Sequence, residues 1–184
     1  MGLTRDDAAG EAFDKIARIL GLGYPGGPKI EALAKEGDPH AVEFPRVTMP
    51  GGSLDFSFSG VKTAVINHVH KLEQKGEEYN KADIAASFQN AVTDALVTHT
   101  LEAAKQKGSQ TVVLAGGVAS NSALRDKMTH EAEKIGIKVL YPSPILCTDN
   151  AAMIAAAGYY EYISGKRADM KLNAIASLPL EGRE

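Results

Sequence analysis

The sequence is short of several things at once. It carries one cysteine, Cys147, in 184 residues. No disulfide can close within the chain, and a single thiol fits a reducing compartment. There is no run of about 18 uncharged apolar residues, the length a membrane-spanning helix needs. The first residues lack the basic, apolar and small-residue succession of a signal peptide. These absences lead to the expectation of a soluble, cytoplasmic protein with no membrane partner. Neither sign of charge is in surplus: 20 Lys and Arg stand against 23 Asp and Glu, a net charge of −3. A stand-alone nucleic-acid-binding module would need a basic surplus to neutralise phosphates, so that class is disfavoured, although a local patch can survive the average. Internal repeats and low-complexity linkers are missing. So are His-Glu-x-x-His and any nucleophile–histidine spacing that would support a peptidase.

What is present is a foldable α/β pattern. Apolar residues make up 44% of the chain, enough for a sizeable core in one domain or in two small lobes sharing one. Residues 6–20 read as a helix, with Asp6 and Asp7 as its N-terminal acids and Phe13, Ile16, Ala17 and Leu20 as its buried stripe. Asp7, Gly10 and Asp14 fall on another face at helical spacing. Glycine makes that face thin enough for a ligand to approach, but Asp14 is equally readable as a solvated helix charge. A rigid turn, Tyr24-Pro-Gly-Gly27-Pro28, leads into a helix over 28–36 with Pro28 as its first residue. Gly27 thus precedes a helix N-terminus, which serves either as an anion site or as a plain turn. Leu54, Phe56 and Phe58 alternate with polar residues as in a half-buried strand, and a helix over 60–75 follows. His68 and His70 there are two residues apart and splay onto different faces, a poor metal pair. Residues 81–107 form the longest helix, with Ile84, Phe88, Ala91, Ala95 and Thr98 as one apolar face. Gly108 ends it.

The stretch from Thr111 to Asn150 organises the rest. A short apolar strand, 111–115, runs into Gly116 and Gly117, then into Ser120, Asn121 and a helix over 121–135. A strand over 137–141, a proline-stiffened loop and an alanine-rich helix over 150–164 complete it. Glycines let a backbone approach a ligand closely, and a helix start offers unpaired N–H groups and a positive dipole end to phosphate. Asp149, at the next helix start, adds a carboxylate suited to a metal. The same residues also serve as a tight turn and ordinary helix caps, so local pattern alone reaches an α/β domain with a nucleotide site as one reading. The final helix suits close packing against a sheet or helix, and a short strand is expected near Leu172–Ile175.

Five strings occur together and in order: Asp7-Ala-Ala-Gly-Glu-Ala-Phe-Asp14-Lys15, Tyr24-Pro-Gly-Gly27-Pro28, Asp55-Phe-Ser-Phe-Ser-Gly60-Val-Lys62-Thr63, Ala115-Gly-Gly-Val-Ala-Ser-Asn121 and Cys147-Thr-Asp149-Asn150-Ala-Ala-Met-Ile154. In this order and at these separations they resemble the tRNA adenosine threonylcarbamoyltransferase family. The resemblance covers the whole chain but only the C-terminal half of a family member. It implies an RNase H-like lobe of the actin-like, sugar-kinase and Hsp70 superfamily, helix-rich, with inserted helices. The chain would be one C-terminal lobe: a helical and loop insertion over 6–60, an α/β nucleotide-binding core over 61–165 and a tail over 166–184.

The implied reaction moves a threonylcarbamoyl group from threonylcarbamoyl-AMP to the N6 amine of an adenosine beside the anticodon in tRNAs that read ANN codons. By motif, Asp14, Gly27 and Asn121 are implied nucleotide contacts, with Gly116 and Gly117 lining the approach, and Asp149 is the implied metal ligand of this half. No catalytic side chain is implied here. The nucleotide ligand would be ATP or threonylcarbamoyl-AMP, and the metal a divalent iron or zinc ion, with Fe2+ favoured by the resemblance. Implied partners are tRNA, a paralogous actin-like-fold protein, an ATPase subunit and an adenylate synthase, with homodimerisation as a further expectation.

The family's other metal ligands lie in a His-x-x-x-His motif of its N-terminal half. The histidines here are 40, 68, 70, 99 and 130, which form no such motif. The phosphate-contacting loop of that half is absent too, and Met1-Gly2 precedes the first motif abruptly, as at a truncated or engineered boundary. The chain is therefore expected to be inactive alone. Two competing readings are a non-catalytic interaction or dimerisation module of the same superfamily, and a sugar- or acetate-kinase-like lobe.

Overall fold

The computed structural model describes residues 1–46 and 52–175. They form two compact units, Met1–Thr148 and Asp149 onward. In the first unit the order is α1 (Ala9–Ile19), α2 (Gly26–Ala34), α3 (Ser59–Lys75), α4 (Lys81–Lys107), β1 (Thr111–Val113), a 3₁₀ turn (Gly117–Ser120), α5 (Ser122–Glu133), β2 (Lys138–Leu140) and a second 3₁₀ turn (Pro144–Leu146). β1 and β2 pair in parallel, with Val112 opposite Val139. With α5 between them they make one βαβ crossover. The second unit holds α6 (Ala151–Ile163).

α4 is the axis of the first unit. Its first half joins a core with α1, α2 and α3 that includes Phe13, Ile16, Ile30, Val65 and Phe88. The Phe13 and Phe88 rings meet edge to face, 5.1 Å apart. Its second half turns Val97, Leu101 and Ala104 into another core with Val112, Leu124, Met128 and Ala132. The apolar face expected through Ala95 and Thr98 therefore shifts by one position: Thr98 is exposed and Val97 is buried. The α4 boundaries match the sequence reading. Asn80 caps its first turn by accepting the Ala82 N–H at 2.9 Å.

Several local readings are corrected. Asp6 and Asp7 do not cap α1, which begins at Ala9 after the uncapped Ala8. Asp6 instead reaches across to the start of α3, accepting the Phe58 N–H at 2.8 Å and the Ser59 N–H at 3.1 Å. Burial opposes its charge. The Ser57 and Ser59 hydroxyls and those two amides nevertheless hold its carboxyl far below the usual range. Asp7 accepts from Lys62 and Lys15, and these bonds likewise lower its carboxyl. A carboxylate beside a helix in sequence was a natural local cap, but partners some fifty residues away outcompete that role. Pro28 is the third residue of α2, not its first. The strand expected over 54–58 reduces to one bridge between Thr4 and Phe56, because the Phe58 N–H goes to the Asp6 carboxylate at 2.8 Å and α3 begins at Ser59; the Asp55 carboxylate braces the bridge by accepting the Leu3 N–H at 2.9 Å and pairing with Arg5. Residues 172–175 are irregular rather than a strand. The alanines of α6, expected to pack closely, lie on a helix with no buried residue.

Candidate functional site

A cavity of about 390 Å³ opens in the first unit between α1, α2, the first 3₁₀ turn and the start of α5. Asp14, Gly27, Asn121 and Gly117 all line it; Gly116 does not. The floor is set by the crossing of α1 and α2. Gly26 sits so close to α1 that a Cβ there would lie 2.5 Å from the Asp14 Cα. Its N–H donates to Asp14 Oδ1 at 2.7 Å. That bond orients the carboxylate and ties the Tyr24–Pro28 turn to α1. At Gly27 a Cβ would meet nothing within 4 Å, so the backbone there faces open space.

The opposite wall is the glycine turn. Gly116 has φ of 88°, a conformation that side-chain-bearing residues rarely adopt. It lets the chain leave β1 and wind through Gly117–Ser120 before α5 starts. The two glycines are thus followed by a 3₁₀ turn and not directly by the helix. The Ala119 N–H closes on Gly116 O at 3.0 Å. Ser120 Oγ donates to Gly117 O at 2.6 Å. Arg125 fastens this wall from behind. Its guanidinium donates to Ala119 O, to Pro142 O at 3.0 Å and to the buried Cys147 Sγ at 3.1 Å, and it stacks on Tyr141. The fork of fixed donors on arginine suits such a multiple tie.

The sequence reading missed Glu31. It lies one helical turn after Gly27 on α2 and lines the cavity. Glu31 Oε1 accepts the Ser122 N–H at 2.9 Å and the Ser122 hydroxyl at 2.5 Å. The available signal was the four-residue spacing from Gly27, which puts both on one helix face. Asn121 Oδ1 accepts the Leu124 N–H at 2.9 Å. Two amides of the first turn of α5 are thus taken by the protein's own oxygens. The helix start expected to cradle phosphate here carries a carboxylate, Glu31, on its first N–H and at the positive end of its dipole.

The cavity's character follows. Among its described lining residues are two carboxylates, Asp14 and Glu31, hydroxyls at Ser120 and Thr148, the Asn121 amide and the apolar Phe13 and Val118. None of its described lining residues is a lysine, arginine or histidine. Such a lining accepts hydrogen bonds from hydroxyl groups and covers a flat apolar ring, and it repels a polyanion.

Asp149 belongs to the second unit and is exposed. Among the described residues no three of His, Cys, Asp or Glu stand together as a metal site. Asp149 is a single donor, and a zinc or iron site needs several. The described residues therefore do not by themselves fit a metal ion. His68 packs edge-on against Phe44, and the buried His99 lies beside Phe56, both in packing contacts. No helix of the described residues is long and apolar enough to cross a membrane.

Curated relatives named tRNA N6-adenosine threonylcarbamoyltransferase, from Clostridium perfringens and Clostridium botulinum, are each 57% identical over 183 residues, covering 100% of this chain and 54% of the relative. The chain thus spans about half the length of the curated relatives it matches. The crystal structure of T. kodakarensis HypF matches with a TM-score of 0.62 and 24% identity over 86% of this chain and 20% of that one. Full-length HypF in its phosphate- and nucleotide-bound form matches with a TM-score of 0.58 and 21% identity, over 77% and 22%. At that identity the likeness concerns the fold alone, here a helix-rich architecture around a small parallel sheet. The family model described as TsaD, tRNA N6-adenosine threonylcarbamoyltransferase, matches residues 1–156, and the chain belongs to that family.

Proposed function

We propose that the cavity between α1, α2 and the glycine turn holds the nucleoside end of threonylcarbamoyl-AMP, and that the chain is the adenylate-holding half of a tRNA threonylcarbamoyltransferase. The observation that carries this reading is that Asp14 and Glu31 line one cavity with no cationic side chain among its described lining residues. Carboxylates accept from ribose hydroxyls, as an acidic residue does in dinucleotide-binding folds. The apolar Phe13 and Val118 offer a surface to the base. The phosphate, repelled by both carboxylates, points out of the cavity toward groups from the other half of the longer protein.

In the reaction the N6 amine of the tRNA adenosine attacks the threonylcarbamoyl carbonyl carbon. A C–N bond forms, the bond from that carbon to the phosphate oxygen breaks, AMP leaves with the electron pair, and the amine gives a proton to solvent. The residues of this chain bind and orient the leaving group, a contribution of proximity and alignment. Asp149 is the ligand this half would give to an iron or zinc ion. A bound metal would polarise the carbonyl, but the described donors do not complete a site for it. The partners of this reading are tRNA, a paralogous actin-like-fold protein and an ATPase subunit.

Calorimetry with ATP and with a non-hydrolysable threonylcarbamoyl-adenylate analogue tests it. Binding should fall at least about tenfold in Asp14→Ala and in Glu31→Ala, each of which removes a charge-assisted hydrogen bond. Unchanged binding in both would overturn the assignment of the cavity. The chain alone should transfer nothing to unmodified tRNA; modified adenosine found by nucleoside mass spectrometry would contradict the half-enzyme reading.

One observation favours a second reading, an interaction or dimerisation module. α6 exposes Met153, Ile154, Tyr159, Tyr160, Tyr162 and Ile163, and apolar patches of that kind mark association surfaces. Concentration-dependent sedimentation together with absent nucleotide binding would select it.

A further inference from the structure

Behind the cavity, Asn121 meets a second buried amide, Gln89. Gln89 is 8% exposed and Asn121 6%. Gln89 sits on α4 among Ala85, Ala86, Phe88 and Val92, all buried and apolar. An amide in such a place loses solvation that only good hydrogen bonds replace. Its Oε1 accepts from Asn121 Nδ2 at 2.8 Å, and both residues are shielded from solvent.

The Asn121 amide is fixed at both ends. Its Oδ1 is committed to the Leu124 N–H as the cap of α5. Its Nδ2 therefore faces the other way, and one of its two N–H groups goes to Gln89. Turning the amide over would set Nδ2 against the Leu124 N–H and Oδ1 against Gln89 Oε1, a donor–donor and an acceptor–acceptor clash at once. We propose that Gln89 is a positioning residue that locks the Asn121 amide so that its second N–H is presented to the cavity. Asn121 is then a hydrogen-bond donor to the ligand. The group it meets must be an acceptor, a purine ring nitrogen or a ribose oxygen, and not an exocyclic amine. This rests on the reading of the cavity as a nucleoside site, which it deepens by giving one wall a hydrogen-bond polarity opposite to that of Asp14 and Glu31.

Three variants of the full chain separate the roles. Gln89→Glu keeps an acceptor oxygen in either ionisation state. Gln89→Met keeps the volume and removes the acceptor. Asn121→Asp keeps the cap oxygen and removes the donor. Nitrogen-15 NMR of the ligand-free chain reads the lock directly. The two Asn121 side-chain N–H signals should be dispersed in the wild type and in Gln89→Glu, and should collapse toward free-amide positions in Gln89→Met. Should Gln89→Met fail to fold, Gln89→Ala with the same readout replaces it. An unchanged Asn121 pair in a folded variant without the acceptor overturns the lock.

ATP affinity then reads the consequence. Gln89→Met and Asn121→Asp should each weaken binding at least about tenfold, and Gln89→Glu should stay within about threefold of the wild type. Wild-type affinity in a folded Asn121→Asp variant overturns the donor role. If the wild type itself binds no ATP, the cavity reading falls and the NMR result alone decides the lock.

Discussion

α4 and α6 are both alanine-rich helices with long apolar stretches, yet their fates are opposite. α4 buries fourteen of its 27 residues, including the polar Ser87, Gln89 and Thr93, while α6 buries none of its 13, although these include Met153, Ile154, Tyr159 and Tyr160. Apolar composition gives a helix the capacity to be buried; the surfaces around it decide whether it is. α4 is packed by α2, α3, α5 and β1. Because it is enclosed on several sides, it also carries the amide that orients Asn121. The functional geometry is thus built on the most enclosed helix.

The largest break in this comparison is in α4. Phe88→Ala removes a fully buried ring from the first core, and its loss should cost about 3–5 kcal/mol in a denaturant titration. A smaller break comes from acid. Asp7 is held low by its bonds from Lys62 and Lys15, and Asp94, despite burial that opposes its charge, by Lys127 and Arg46. Their folded carboxyls titrate below the ordinary value near 4. The stability they supply is complete above that value and is lost as pH falls through the lowered folded values. Thermal unfolding should therefore show a melting temperature that these groups leave level above pH 5 and that declines below about pH 4. A flat profile would contradict the assigned pairs. Asn80→Ala removes the cap of α4 and should cost about 1 kcal/mol. Ile154→Ala on α6 should change stability by no more than about 0.5 kcal/mol; a loss as large as that of Phe88→Ala would mean α6 has cover in solution, and would erase the contrast.

The sequence made these helices legible to different depths. The boundaries of α4 were readable because Asn80 and Gly108 punctuate a long apolar pattern. The stripe of α1 was readable because Phe13, Ile16, Ala17 and Leu20 repeat at helical spacing. Local rules failed where distant partners competed: Asp6 caps α3 and not α1, and by taking the Phe58 N–H it ends the strand expected over 54–58. The burial of α6 was misread because alanine content says nothing of a neighbour. At the site, Asp14, Gly27, Gly117 and Asn121 were legible through their motifs, and the structure brings them to one cavity. Glu31 and Gln89 were not. Each acts through a bond to the start of α5, 91 and 32 residues away, and no local pattern encodes such a partner.

The central claim is that the adenylate's nucleoside sits between α1, α2 and the glycine turn. Titration of the nitrogen-15-labelled chain with ATP tests it most directly. The amides of Gly27, Gly117 and Asn121 and the Asn121 side-chain pair should shift together along one binding curve, with α6 and the charged groove lined by Glu102, Lys105 and Lys134 unmoved. Shifts confined to that groove or to α6, in a chain that plainly binds ATP, would contradict it.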